Sequence, residues 1–285
     1  MESVKNNFPW FILLVIAVFS FFAWVVLGNE DLSGTLSVSF LDVGQGDAIL
    51  ITAPSGSQMM IDGGPDSGVL RQLSKLMPFY DRSLNVILVS NPDKDHISGL
   101  IDVLRAYRVD LVVEPGTETD TAVYQEFSRA VSVEKAELMD ARRGMEIDLG
   151  GGAVFEILFP DREASGLDTN TGSIIGRLTF GETCMIFPGD APQSIEEYIV
   201  KLEGKGVDCE VLKVGHHGSR TSTSGVFLSV VSPELVMISA GLNNKYGHPH
   251  KEVIDRLNDA GATIFKTYDK GVVTVFSDGK TVTLD

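Results

Sequence analysis

Four short segments of this chain each set aspartate or histidine directly after an apolar run, and this repeated pairing narrows the possible folds more than any other feature. The run at 86–89 leads into Ser90-Asn91-Pro92-Asp93-Lys94-Asp95-His96, and the run at 184–187 into Pro188-Gly189-Asp190-Ala191. The run at 211–214 leads into Gly215-His216-His217-Gly218-Ser219, and Tyr246-Gly247-His248-Pro249-His250 follows the run at 235–239. Short continuous apolar runs are the pattern of strands buried on both faces. All five histidines lie in these segments, so isolated core histidines explain them poorly as a set.

Each cluster has a structural and a chemical reading. Asp93, Asp95 and His96 put two carboxylates and an imidazole within four residues, a donor set that suits zinc, manganese or iron. The same residues fit a helix N-terminus, with Asp95 capping a helix over 99–107, and both readings can hold at once. Asp190 fits a turn with an Asp cap, or a carboxylate bridging two metals. Adjacent residues after a buried strand point in different directions, so at most one of His216 and His217 is expected to ligate. The other would orient a ligand or donate a proton. His248-Pro249-His250 reads either as a helix start or as a ligand segment.

Around these clusters the spacing predicts strands at 36–41, 48–51, 58–61, 153–159, 174–180 and 184–187. Helices are expected at 194–203, 225–231 and 251–258, with a final hairpin about Asp278-Gly279. Two sets of strands, each interrupted by helices, imply two sheets packed face to face with helices outside. With 44% hydrophobic residues among 285, the chain can bury such a core. Cys184 and Cys209 each sit in an apolar run and read as two buried thiols, with no disulfide framework. The formal net charge of −16, from 39 acidic and 23 basic residues, is a poor footprint for gripping long phosphate backbones. A bound divalent metal would supply the missing local positive charge.

Residues 8–28 carry no charge. That length matches a membrane span of about 20 residues better than the shorter apolar core of a cleaved signal. Residues 1–28 are therefore expected to be an uncleaved single-pass anchor, 29–35 a polar linker and 36–285 the functional domain. Lys5 before the span, with Glu30 and Asp31 after it, places the N-terminus inside and the domain outside the cytoplasm.

From Leu41 onward the chain resembles the metallo-β-lactamase-like domain of the ComEC family of DNA-uptake competence proteins. The resemblance rests on Leu41-Asp42-Val43-Gly44-Gln45-Gly46-Asp47-Ala48, Ile61-Asp62-Gly63-Gly64, Asp93-Lys94-Asp95-His96 and Asn170-Thr171-Gly172-Ser173. It continues through Gly189-Asp190-Ala191, Lys213-Val214-Gly215-His216-His217-Gly218-Ser219 and Tyr246-Gly247-His248-Pro249-His250, in the family's order. It implies an α/β fold, a four-layer αββα sandwich, with one or two divalent ions (Zn²⁺ or Mn²⁺) that activate water. Carried over, Asp95, His96, Asp190 and His248 would hold one metal. Asp93, Asp190 and one of His216 or His217 would hold the other. Asp95 and His217 are the expected catalytic residues, with Asp47, Asn91, Asn170 and Ser173 lining the site. The family motif begins with His where this chain has Asn91, so one of the two metals is expected to bind loosely or not at all.

The implied activity is hydrolysis of phosphodiester bonds, with single-stranded DNA as a candidate substrate. Alternatives are hydrolysis of another phosphoester or ester, such as a cell-envelope component, and a non-catalytic metal-binding domain. Only Asn91 supports the last of these.

Overall fold

The computed structural model describes residues 8–27 and 34–285. Helix α1 spans Phe8–Leu27, and its described side chains, Trp10 to Phe21, are exposed. Among the described residues no helix is long and apolar enough to cross a membrane. The described side chains of α1 fall short of the roughly 20 apolar residues a span requires. The expected anchor over 1–28 and linker over 29–35 thus lie in part outside the described residues. The chain divides after Gly34, and the second unit runs from Thr35 to Asp285.

That unit contains two sheets. The first begins with β1 (Leu36–Phe40), β2 (Ile49–Thr52), β3 (Gln58–Ile61), β4 (Ser83–Leu88), β5 (Arg108–Glu114) and β6 (Glu137–Asp140). Three helices accompany it: α2 (Gly68–Leu76), α3 (Lys94–Ala106) and α4 (Ala122–Glu134). The chain then crosses to the second sheet, β7 (Glu146–Gly150), β8 (Ala153–Phe159), β9 (Ile175–Phe180), β10 (Thr183–Phe187), β11 (Val211–Lys213), β12 (Leu235–Ile238) and β13 (Thr263–Lys266). Helices α5 (Gln193–Glu203), α6 (Gly225–Val231), α7 (Lys251–Asp259) and the short α8 (Thr267–Lys270) belong to this half. The chain finally returns to the first sheet as the hairpin β14 (Val273–Ser277) and β15 (Val282–Leu284). Sheet one is ordered β15-β14-β1-β2-β3-β4-β5-β6 and sheet two β13-β12-β11-β10-β9-β8-β7. Strands β3 to β6 run parallel to one another, as do β10 to β13.

Side-chain alternation along the strands builds three apolar layers. Leu36, Val38 and Phe40 of β1 point between the sheets, where they meet Phe155, Met185 and Phe187. Leu50, Met60 and Ile87 face the other way, onto Leu73, Leu100 and Phe127 of α2, α3 and α4. On the second sheet Leu158, Ile186 and Leu212 pack against Ile199, Phe227 and Leu257 of α5, α6 and α7. Three apolar layers separate four layers of structure, the αββα sandwich expected from the sequence. Gly176 is needed in β9 because a Cβ there would lie 2.2 Å from the Phe155 ring.

Two expectations are corrected. Cys184 and Cys209 form a disulfide, with Cα atoms 5.0 Å apart, rather than two buried thiols. Parallel pairing of β10 with β11 brings the two cysteines to neighbouring positions, which an apolar run alone does not reveal. The helix expected at 99–107 starts earlier, as α3 at Lys94, so Asp93 is its N-cap and Asp95 and His96 lie in its first turn.

Candidate metal centre

The ends of β3, β4, β10, β11 and β12 meet at one edge of the sandwich, where open α/β sheets gather their ligands. Asp62 follows β3, His96 stands on α3 after β4, Asp190 follows β10, and His216 and His217 follow β11. The β1–β2 loop brings in Asp47. Glycines allow these segments to touch: a Cβ on Gly99 of α3 would lie 1.9 Å from the Gly63 carbonyl oxygen. That contact fixes α3 against the loop carrying Asp62, together with the 2.7 Å bond from Gly63 N–H to the His96 carbonyl.

His96 is fully buried between two carboxylates. Its Nδ1 lies 2.8 Å from Asp62 Oδ2 and its Nε2 3.2 Å from Asp190 Oδ2. Asp62 is itself held by the Ser90 backbone N–H (2.8 Å) and hydroxyl (2.5 Å). Burial opposes charge on the ring, yet Asp190 and Asp62 outweigh it and hold the His96 pKa well above the usual imidazole value.

His217 repeats the arrangement. Its Nδ1 is 3.1 Å from the Ser239 carbonyl and 3.3 Å from Asp47 Oδ1, while its Nε2 points to Asp95 Oδ2 (3.4 Å) and Asp190 Oδ2 (3.7 Å). Against the opposing effect of burial, Asp47 and then Asp190 raise its pKa to about 9. Asp47 pairs with the Lys213 ammonium. Although burial works the other way, Lys213 and His217 keep the Asp47 carboxyl below its usual range. Among the described residues Lys213 is the only buried lysine or arginine.

His216 also approaches Asp190, with Nε2 3.5 Å from Oδ2. The expectation that neighbouring histidines diverge is therefore corrected. Both residues take left-handed backbone conformations, φ 49° and 55°, and the tight turn aims both rings at one carboxylate. His248 stands one ring further out, its centroid 5.7 Å from that of His216 and 6.4 Å from that of His217. Burial, then His217 and His216, lower its pKa to about 4. Asp93 is half-buried, and burial raises its carboxyl pKa.

The donor set fits a divalent cation. One ligand atom each from Asp47, His96, Asp190 and His217 lie within 4.8 Å of one another. Asp190 Oδ1, Asp47 Oδ1 and His217 Nε2 are buried without a hydrogen-bond partner. Such atoms are costly unless something else satisfies them. Both imidazoles are anchored through Nδ1 and present Nε2 inward, the arrangement by which outer carboxylates and carbonyls orient metal ligands.

The lining residues form a separate network. Asn91, fully buried, donates from Nδ2 to Asn170 Oδ1 (2.8 Å) and Ser173 Oγ (3.4 Å), and its Oδ1 accepts from the Asp93 N–H (2.8 Å). Asn91 thus clamps the 170–173 loop onto the start of α3. Sequence reasoning gave no role to Asp62, Ser90 or Lys213. Asp62 carried a usable signal, since it too follows an apolar run. Lys213 did not, because it is the last residue of β11 and reads as part of the strand.

A family model of the metallo-beta-lactamase superfamily matches residues 41–241. The chain is 26% identical to ComE operon protein 3 of Bacillus subtilis (strain 168), over 90% of this chain and 34% of the relative. It is 31% identical to Recombination protein 2 of Haemophilus influenzae, over 88% and 30%. It is 28% identical to Competence protein ComA of Neisseria gonorrhoeae, over 91% and 34%. The chain spans about a third of the length of these curated relatives. Among solved structures, the metallo-beta-lactamase fold protein YhfI from Bacillus subtilis superimposes with a TM-score of 0.55 at 11% identity, covering 84% of this chain and 99% of that one. Zn(2+)-bound PqqB from Methylobacterium extorquens gives 0.51 at 11%, with the same coverage. At such identities the likeness is one of fold. The chain belongs to the metallo-β-lactamase superfamily, and its curated relatives are competence proteins of the ComEC type.

Proposed function

We propose that this chain is a metal-dependent phosphodiesterase attached to a membrane by its N-terminal segment, with the catalytic domain outside the cytoplasm. The observation that carries the hydrolase reading is the convergence of His96 Nε2 and His217 Nε2 on Asp190, whose Oδ1 has no hydrogen-bond partner. His96, His217 and Asp190, with Asp47 or Asp95, would hold one ion. Asp93, His216 and His248 are the remaining candidates for a second. A bound divalent ion supplies Lewis-acid polarisation and lowers the pKa of water. The chain's own groups do the rest. Asp62 holds the proton of His96 at Nδ1, and the Ser239 carbonyl holds that of His217, so that both Nε2 lone pairs face inward. Lys213 keeps Asp47 ionised. His248 stays neutral at pH 7, the form in which an imidazole ligates a metal, and its Nδ1 is buried without a hydrogen-bond partner.

The competence names of the relatives make single-stranded DNA the first substrate to test, although a net charge of −16 supplies no extended cationic track. That acidity is the reason to test a small envelope-type phosphodiester beside it. The Cys184–Cys209 disulfide favours an oxidising, extracytoplasmic setting, in agreement with Lys5 preceding the apolar segment. The test is hydrolysis of bis(p-nitrophenyl) phosphate and of single-stranded DNA with added Mn²⁺ or Zn²⁺. Turnover by the wild type and none by Asp190→Ala is expected; equal rates would remove the assignment.

A further inference from the structure

We propose that Tyr246 and Lys245 form a platform at the mouth of the metal centre, on which a base of a nucleotide-bearing phosphodiester stacks. The proposal rests on the phosphodiesterase reading and specifies its substrate class.

The platform lies on the loop between β12 and α7, and Asn244 fixes that loop. Asn244 Nδ2 donates to the carbonyls of Gly241 (2.8 Å) and His248 (2.5 Å), and its Oδ1 accepts from the backbone N–H of Tyr246 and of His248, each at 3.1 Å. The position of Tyr246 is thus set by its backbone and not by burial, since the residue is 51% exposed. The ring stacks on His248, with centroids 5.6 Å apart and planes 21° from parallel. His248 in turn touches His216, which reaches Asp190. Tyr246 is therefore the outermost ring of a ladder that ends at the metal centre. Among the described residues its hydroxyl has no hydrogen-bond partner, so the ring does no visible work for the fold.

Lys245 supplies the second element. Its ammonium lies over the Tyr246 ring, 4.8 Å from the centroid, and forms no ion pair among the described residues, so a base entering there displaces it onto the incoming phosphate. In a chain with 39 acidic and 23 basic residues, an unpaired lysine beside the site is free to meet an anion. A half-exposed aromatic ring backed by His248 and covered only by a displaceable surface cation matches a base and its phosphate, the pairing by which proteins hold single strands without reading sequence. An aliphatic phosphodiester would use only the lysine. A mere cover for His248 would need no cation.

The test is binding of a fluorescein-labelled ten-nucleotide thymidine strand and of an abasic strand of equal length to the full chain in detergent. Fluorescence anisotropy is read at low salt on the metal-loaded chain, with phosphorothioate linkages so that the strands stay intact. The wild type is expected to bind the base-bearing strand about tenfold more tightly, the order expected for loss of stacking. Tyr246→Ala should erase that difference and leave abasic binding unchanged, Tyr246→Trp should restore it, and Lys245→Ala should weaken both strands alike. A wild type that does not distinguish the strands, or binds neither, overturns the platform. Equal weakening of both strands by Tyr246→Ala also overturns it, and makes Tyr246 a cover for His248. Turnover of a generic phosphodiester is read separately, so a failed platform and a failed phosphodiesterase assignment give different results.

Discussion

His96 shows what single residues contribute here. The ring is useful because Asp62 holds its Nδ1 while Nε2 faces Asp190. Asp62→Ala should leave the fold intact and weaken metal affinity by about 10–100-fold, as loss of an orienting carboxylate does; isothermal titration with Zn²⁺ checks this. A pH dependence follows from the same geometry. In the metal-free protein the His217 pKa rises from 6.5 to about 9 and that of His96 rises as well. A raised imidazole pKa contributes stability that is fully present below about pH 6.5 and is lost as pH climbs toward 9. Urea unfolding of the metal-free protein should therefore show falling stability across that window. Saturating metal should flatten the slope, because the ion replaces the protons. Equal slopes with and without metal would contradict this. Asp93, Asp95, His96 and Asp190 were legible in the sequence because each closes an apolar run. The joint approach of His216 and His217 was not, because it depends on two left-handed residues whose side chains would not announce that conformation.

At the scale of elements, two connections hold the site edge together. Asn91 joins the β4–α3 turn to the 170–173 loop through two hydrogen bonds, to Asn170 and Ser173, and braces the turn itself by accepting from the Asp93 N–H. Asn91→Ala leaves Asn170 Oδ1 and the Asp93 N–H without their partner, and should cost roughly 1–3 kcal/mol in urea unfolding. An effect near zero would mean that the clamp is filled by water. The disulfide ties β10 to the start of β11, the strands that carry Asp190 and the paired histidines. Cys184→Ser should lower stability by about 2–4 kcal/mol under non-reducing conditions. Thiol labelling of the unreduced, unfolded wild type should find no free cysteine. Neither connection could be read from spacing. Asn91 stands where the family motif has histidine, and its partners lie some 80 residues away along the chain.

For the whole molecule, the inter-sheet layer is the main source of cohesion. Phe155 is fully buried there, 5.8 Å from Phe187. Phe155→Ala should destabilise the domain by about 3–5 kcal/mol, visible as a lower urea midpoint. The strands that enter this layer were mostly legible, because β1, β3, β8 and β10 are short apolar runs with clear ends. Strands β5, β6, β7 and β13 were not, since each is exposed or half-buried over part of its length and carries charged or polar residues there. The two-sheet architecture survived those omissions because the central strands, not the edges, carry the apolar signal.

The central claim is that this sandwich assembles a metal centre at the edge where its parallel strands end. Metal content of the purified full chain, measured by mass spectrometry for the wild type and for the double variant His96→Ala, Asp190→Ala, tests it most directly. At least one tightly held Zn²⁺ or Mn²⁺ per wild-type chain and none in a folded double variant is the expected result. A folded wild type that takes up no divalent ion, or a variant that retains the same content, would contradict it.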